Sequence, residues 1–351
     1  KQLKMESSIT LASRPPTGAP VTVDNFNVCS QTLGTLAQGQ LRVKVVCLSV
    51  DPYMRCRFNE DTGAEYMKSF ELGGPILSGG TAIVLESLNE LFKKGDIIVS
   101  SMHMPWMTQA IIDPAHDFVK LTNPLIDKEL APLLNIAGIS AYHAVVNHCK
   151  PKAGELVVVS SCAGAVGSIA GQLLTQAGAR VIGICGSKQK GQWAKSIGAV
   201  DVALCYRDND FEQQLEDACS AKVNLYLDNV GGEISNAVIM QLAPQARVVV
   251  CGQISTYNQD TTSKDYVYPD PLPENVATFL ETQNATRERF FVGWHAENND
   301  RAYADLHALM SSGKLHVPIT WIEGLPSAPQ AFCDMMQGKH KGKVMVKLLS
   351  T

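Results

Sequence analysis

Apolar and polar side chains alternate along Leu41-Arg42-Val43-Lys44-Val45-Val46, the period of a half-buried strand. Gly73-Gly74-Pro75 and Gly79-Gly80 punctuate the next stretch, and Gly95-Asp96 turns the chain into Ile97-Ile98-Val99. Short strands with closely spaced turn signals predict a compact barrel or sandwich over about the first 120 residues.

The pattern changes near Asn123-Pro124. Helical periodicity is expected from Asp127 to Asn147. Purely apolar strands follow at Leu156–Val159 and Val202–Leu204, and mostly apolar ones at Arg180–Ile184, Val223–Leu227 and Arg247–Val250. Helix-length segments such as Ser168–Ala177 and Phe211–Cys219 separate them. Apolar strands alternating with helices predict a parallel sheet covered on both faces, a doubly wound α/β unit. Tyr266–Pro273 reads as a loop, and Arg301–Met310 as a helix ending at Ser312-Gly313. The tail reads strand, helix, strand over His316–Trp321, Ala328–Met336 and Lys343–Leu348. The expected layout is a doubly wound domain over 126–313 inserted into a β-rich domain made of 1–125 and 314–351.

Composition narrows the class. Of 351 residues 45% are hydrophobic and 18% charged, ordinary values for a globular chain. The formal charge of −4 argues against a broad nucleic-acid or anionic-membrane surface. No apolar window approaches about 18 residues, so no membrane helix is expected. Lys1–Thr10 has no apolar core of a secretory signal. The ten cysteines include no Cys-x-x-Cys, and a reducing, cytoplasmic setting is expected.

The strand Leu156–Val159 runs into Ser160-Ser161-Cys162-Ala163-Gly164-Ala165-Val166-Gly167-Ser168. Small residues there let backbone amides approach a pyrophosphate, and the helix that follows adds roughly half a positive charge. Cys162 occupies the first position of G-x-G-x-x-G, so the motif is partial; its strand–turn–helix setting gives it weight. A nicotinamide site for the unphosphorylated cofactor wants a carboxylate about twenty residues on. Here stand Ser187, Lys188 and Lys190 instead, which attract a 2′-phosphate. NADPH is therefore favoured, with solvated helix-start lysines as the plainer alternative.

Several chemistries are missing. There is no G-x-S-x-G nucleophile elbow and no Gly-x-x-x-x-Gly-Lys-[Ser/Thr]. His103 and His116 have no partners at a zinc-ligand spacing, so no catalytic metal is expected.

Together, Leu48 to Arg57 (LSVDPYMRCR), Asn59 to Gly63 (NEDTG), Leu227 to Gly232 (LDNVGG), Cys251 to Ser255 (CGQIS) and Thr286 to Phe290 (TRERF) resemble one family. It is the zinc-free medium-chain dehydrogenase/reductases, in the prostaglandin reductase and leukotriene 12-hydroxydehydrogenase branch. The resemblance runs over nearly the whole chain. It implies a GroES-like barrel domain, a Rossmann domain and NADPH-dependent reduction of the carbon–carbon double bond of α,β-unsaturated ketones such as 15-oxo-prostaglandins.

Carried over by residue, the resemblance implies that Gly164, Ala165, Val166 and Gly167 line the pyrophosphate. Ser187, Lys190 and Tyr206 would surround the 2′-phosphate, and Asn229 would sit beside the ribose or nicotinamide. Cys251, Gly252, Gln253, Ile254, Ser255 and Tyr257 would line the nicotinamide edge, and Phe290, Phe291 and Val292 would reach the cofactor from the next strand. Tyr66, Met104, Pro105, Trp106, Tyr257 and Arg289 would bind the substrate. Two departures stand out: His340 replaces the family's Asn within Gly338-Lys339-His340-Lys341-Gly342-Lys343, and Ala137-Gly138-Ile139-Ser140 replaces Pro-Gly-Leu-Thr.

Hydride addition to an enone makes an enolate, whose oxyanion needs a donor already in place. Tyr257 is the first candidate and Tyr66 the second; either is alternatively an aromatic that only packs. A quinone or 2-alkenal oxidoreductase and a non-catalytic NADPH-binding protein remain alternatives. The expected partner is a small lipid enone, without nucleic acid or membrane, in a monomer or homodimer.

Overall fold

The alternating segment at Leu41 is the start of the strand Leu41–Val50, on which the first of two units is built. The computed structural model describes residues 5–64, 66–114, 117–122, 127, 131, 134–263 and 266–348. Lys1–Ile136, Asn258–Lys264 and Ile319–Thr351 form the first unit, and Ala137–Tyr257 with Asp265–Pro318 the second.

In the first unit Leu41–Val50 pairs along one side with Leu77–Ser87, which pairs with Ile97–Pro105. Its other side is shared. Gln109–Ile112 takes the first half, with Leu41 opposite Ile112, and Lys343–Lys347 takes the second, with Val50 opposite Val344. Sharing one strand between two partners curls the sheet towards a barrel. The rings of Phe26 and Trp106 stack at 6.0 Å inside it, and Phe58 meets Phe70 and Phe332 at 5.1 and 5.5 Å.

The segment LSVDPYMRCR is structural. Lys343 is 2% exposed, and its Nζ donates to Val50 O at 2.6 Å and Asp51 Oδ1 at 2.7 Å. Arg57 donates to the carbonyls of Lys68, Leu77 and Met102. Arg55 donates to Ala19 O, Asn59 Oδ1 and Asn258 Oδ1. The last contact, with Asn59 Nδ2 donating to Thr261 Oγ1 at 3.0 Å, holds Asn258–Lys264 in this unit.

Asp117 closes a second, half-buried network. It accepts from Ser100 Oγ and from the amides of Ser101 and Met102, and pairs with His103 Nδ1 at 2.8 Å. Burial pushes its carboxyl up, but His103, Ser100 and the Met102 amide outweigh burial and leave it below the usual range. A depressed folded pKa stabilises above the unfolded value, about 4, and the contribution is lost as pH falls through the folded value. The urea midpoint should therefore drop in acid, and Asp117→Asn should show a smaller drop; equal acid sensitivity would count against this role.

The second unit carries six parallel strands. Their order is Val202–Cys205, Arg180–Cys185, Leu156–Ser160, Val223–Asp228, Leu242–Val250 and Thr286–Arg289. Sequence order reverses between Leu156–Ser160 and Val223–Asp228, the point where doubly wound sheets bind ligands beyond their carboxyl ends. Helices follow each turn: Ala165–Gln176, Lys188–Ser196, Phe211–Ala218 and Gly232–Ile239. Val158, Ile182, Tyr226, Val248 and Val238 fill the core.

The helical expectation at Asp127–Asn147 lies partly outside the described residues. Its described part is a short α-helix, Ile139–His143, between π-helical stretches at Leu134–Gly138 and Ala144–Cys149. Tyr266–Pro273 carries no helix or strand, and Glu274–Thr282 starts directly after it. Asn299–Ser311 is the expected late helix.

Candidate cofactor and active site

The turn after Leu156–Ser160 is tight enough to require its glycines. Ser161 takes a left-handed conformation, φ 52°. A Cβ on Gly167 would lie 2.3 Å from Ser161 O, and one on Gly164 2.8 Å from Ser161 Oγ. The helix Ala165–Gln176 therefore starts hard against the turn, aimed at the switch point. Its first amides, Ala165 to Gly167, have no acceptor within the helix. A cradle of small residues around unspent N–H groups suits a pyrophosphate.

Asp228, fully buried at the end of the neighbouring strand, organises the next loop. Its Oδ1 accepts from Tyr226 Oη at 2.8 Å, Ser160 Oγ at 3.2 Å and the amides of Val230 and Gly231 at 3.0 Å. Its Oδ2 accepts from Ser235 Oγ at 2.8 Å. Burial and Asp228 push the Tyr226 phenol well above 10, so it stays a donor. Asn229 is held twice by Ser160, its amide donating to Oγ and its Nδ2 to the carbonyl, each at 2.8 Å. Its Oδ1 could accept from a ribose or carboxamide. Sequence reasoning passed over Asp228, Ser160 and Tyr226 as site residues; the signal was an acidic residue closing an otherwise apolar strand beside LDNVGG.

Cys251 and Gly252 donate their amides to Asp228 O at 2.8 and 3.1 Å. Burial, then Asp228, pushes the Cys251 thiol up to about 12, which disqualifies it as a nucleophile. Gln253 is buried and its Oε1 accepts the Asp270 amide at 2.8 Å, so it serves the loop. Ser255 donates to Val230 O from both amide and hydroxyl, and half-exposed Ile254 ends the same turn. Tyr257 is half-buried with its hydroxyl over Gly252, where a Cβ would come within 3.0 Å of Oη.

At the next strand end, Ser187 caps the helix Lys188–Ser196, its Oγ accepting from Lys190 N at 3.3 Å. Lys188 Nζ pairs with Asp208 Oδ2 at 3.3 Å. Tyr206 is 39% exposed and lies over Gly186. Ser187, Lys190 and Tyr206 thus share the rim beyond Arg180–Cys185.

Other expected residues fall elsewhere. Met104 and Trp106 are 0% exposed, and Pro105 is buried with them. Trp106 Nε1 donates to Ser78 Oγ at 2.9 Å inside the barrel core. They pack the first unit's interior and form no open pocket wall, a correction to the expectation: all three consecutive side chains are enclosed, so neither face of this strand end is open. The Phe290 ring is buried against His148 at 4.7 Å, so only Phe291 and Val292 of that trio are half-exposed. Arg289 is exposed between the rings of Tyr268 and Trp294, 5.5 and 5.9 Å from their centroids. Tyr66 is 54% exposed on a loop of the first unit, and His340 is half-buried near Asp334 in that unit.

Residues 7–121 match the family described as the N-terminal domain of oxidoreductase, and residues 165–280 the one described as zinc-binding dehydrogenase. The putative NADP-dependent oxidoreductase YfmJ of Bacillus subtilis is 35% identical over 98% of both chains. The NADPH-dependent curcumin reductase of Escherichia coli is 31% identical over 96% of this chain and 95% of that one. Prostaglandin reductase 1 of Mus musculus is 34% identical over 93% and 94%. The crystal structure of CurA with NADPH from Vibrio vulnificus superposes with a TM-score of 0.87 at 30% identity, covering 98% of this chain and 100% of that one.

A GroES-like domain joined to a Rossmann domain, with a glycine cradle at the switch point, defines an NADPH-dependent oxidoreductase. The chain belongs to the medium-chain dehydrogenase/reductase family, of the zinc-free type. Its residues do not fit a zinc: among those described, no three His, Cys, Asp or Glu side chains converge, and His103 is paired with Asp117. His116 lies outside the described residues. No described helix is long and apolar enough to cross a membrane.

Proposed function

We propose that the protein reduces the carbon–carbon double bond of α,β-unsaturated ketones with NADPH, and that its substrates are 15-oxo-prostaglandins or enones like them. This makes it similar in activity to the type-two prostaglandin reductase, a 15-oxoprostaglandin 13-reductase. The observation that carries the reading is the Tyr257 hydroxyl, seated over Gly252 beside Asn229 at the carboxyl end of the sheet. Likeness to proteins named curcumin reductase and prostaglandin reductase supports it.

NADPH, when bound, supplies the hydride for the enone β-carbon. Gly164 to Gly167 hold its pyrophosphate, and Ser187, Lys190 and Tyr206 its 2′-phosphate. Tyr257 donates to the ketone oxygen as negative charge gathers there, and Tyr66 is the second candidate for that role. Phe291 and Val292 reach the cofactor, and Arg289 flanks the substrate. None of the ten cysteines is in a disulfide, and we assign the enzyme to a reducing, cytoplasmic setting.

The test follows NADPH absorbance with a 15-oxo-prostaglandin, with NADH and a simple quinone in parallel. Fast loss with NADPH and the prostanoid is expected. Tyr257→Phe should lower kcat about 10²–10³-fold, as loss of one oxyanion donor does, with little change in the KM for NADPH. Lys190→Ala should raise that KM and narrow the preference over NADH. Turnover of the quinone alone, or full activity in Tyr257→Phe, would overturn the reading.

A further inference from the structure

We propose that Cys162 and Cys185 are a modification site for peroxides, closing to a disulfide across the dinucleotide-binding turn. The two thiols stand at the carboxyl ends of neighbouring parallel strands. Ser160 pairs with Ile184, and the Cys162 amide donates to Ile184 O at 3.1 Å, which sets Cys162 beside the residue before Cys185. Gly183 and Cys185, two apart on one strand, share a face. The absent side chain at Gly183 makes the room: a Cβ there would lie 2.6 Å from Cys162 Sγ. The two thiols are near enough for each to shift the other's protonation, and Cys185 Sγ lies 3.3 Å from Ser187 O, to which it donates. Adjacent strands are about 4.8 Å apart, inside the Cα separations of about 4.4–6.8 Å that disulfides span.

The sulfurs have different tasks. Cys162 is fully buried, and the neighbouring Cys185, then burial, pushes its pKa well up. Cys162, with the Ser187 backbone and the Lys190 charge, brings Cys185 down to about 7 against the opposing effect of burial. Cys185 also lines a pocket of about 270 Å³ with Ser187, Lys188, Gly191 and Cys205, room enough for a small peroxide. Burial pushes Cys56, Cys219 and Cys333 up to about 11. Of the pair, Cys185 is thus the thiol with thiolate character, buried at 5% exposure but facing this pocket.

The chemistry balances with a hydroperoxide as oxidant. The Cys185 thiolate attacks one peroxide oxygen; the O–O bond breaks, an S–O bond forms, and the departing oxygen takes a proton to leave as alcohol or water. The Cys162 sulfur then attacks the sulfenic sulfur. The S–O bond breaks, the hydroxyl leaves with the thiol proton as water, and the S–S bond forms. Two thiols lose two electrons, and the peroxide gains them. A disulfide brings the sulfurs to about 2.05 Å, closer than any hydrogen-bonded pair, so the Ser160–Gly164 turn or the Cys185–Ser187 segment must move. Both are cofactor-binding segments, so oxidation weakens NADPH binding and bound NADPH resists oxidation.

The experiment treats the purified full chain with hydrogen peroxide and reads intact mass, disulfide-linked peptides and NADPH binding by fluorescence. The expected result is loss of two hydrogens, a Cys162–Cys185 linked peptide, NADPH affinity down about tenfold or more, and recovery with a dithiol. Saturating NADPH should slow the change. Cys185→Ser should leave Cys162 reduced, whereas Cys162→Ser should stop Cys185 at a sulfenic acid that a cyclic diketone traps. An unmodified Cys185 in the wild-type peptide map, or a linked pair with unchanged NADPH affinity, would overturn the proposal. The map needs no variant to fold and no enone to turn over, so it stands apart from the test of the activity.

Discussion

Asp228→Ala should cost about 4 kcal/mol of stability and remove measurable NADPH binding. The alanine strands five donors at once: the hydroxyls of Tyr226, Ser160 and Ser235 and the amides of Val230 and Gly231. A buried donor left without an acceptor costs about 1–3 kcal/mol, and a shared cavity that admits water keeps the five from adding in full. The binding loss has a separate cause. Ser160 Oγ, no longer fixed by Asp228, ceases to hold the Asn229 amide, and the Val230–Gly231 turn loses its anchor. Asp228→Asn keeps an oxygen for the Oδ1 donors and should fall between alanine and wild type. Urea unfolding and NADPH titration read the two effects. A stability within about 1 kcal/mol of wild type for Asp228→Ala would sink the argument.

Asp228 also shows where the sequence stops being readable. The strand Val223–Asp228 was legible because its interior is apolar on both faces, as a parallel strand's must be. That its last residue takes five hydrogen bonds was not, because two of the donors come from its own loop, one from Tyr226 on its own strand, and two from Ser160 and Ser235, set by tertiary packing. The phosphate turn is the opposite case. Gly164 and Gly167 announce a close approach, and the structure supplies the reason in Ser161 O. Local backbone demands are written in glycines; the provenance of buried polar partners is not.

The sixth strand, Thr286–Arg289, was invisible to periodicity. It lies at the sheet edge, its side chains are mostly exposed, and no apolar pattern is required of it. Met104 and Trp106 failed for a related reason. They sit at the end of Ile97–Pro105, where resemblance supplied a pocket and the barrel supplied a core. Arg55 and Arg57 mislead in the other direction. Two buried guanidiniums invite a functional reading, yet their donors are spent on carbonyls and amide oxygens that hold loops in place. The segment LSVDPYMRCR therefore encodes barrel construction, and the chemistry we propose rests on less distinctive positions such as Tyr257.

Lys343→Met should destabilise the first unit by about 3–5 kcal/mol, the cost of leaving a buried charge without its partner. The Lys343 ammonium is enclosed between Val50 O and Asp51 Oδ1, and burial pulls its pKa down while Asp51 holds it up. Methionine fills the space of the stem but strands the Asp51 carboxylate, which keeps only Ser49 Oγ as a donor. The same reasoning predicts that Asp51→Leu combined with Lys343→Met is more stable than Lys343→Met alone, because a buried pair replaced by apolar side chains loses charge and partner together. The contact joins Lys343–Lys347 to the end of Leu41–Val50, so the loss should appear as earlier unfolding of the tail strand, read by amide exchange at Val344 to Val346. Urea midpoints of both singles and the double close the cycle. A double variant no more stable than Lys343→Met would show that the pair contributes through geometry at Val50, and that charge compensation is not what holds the tail.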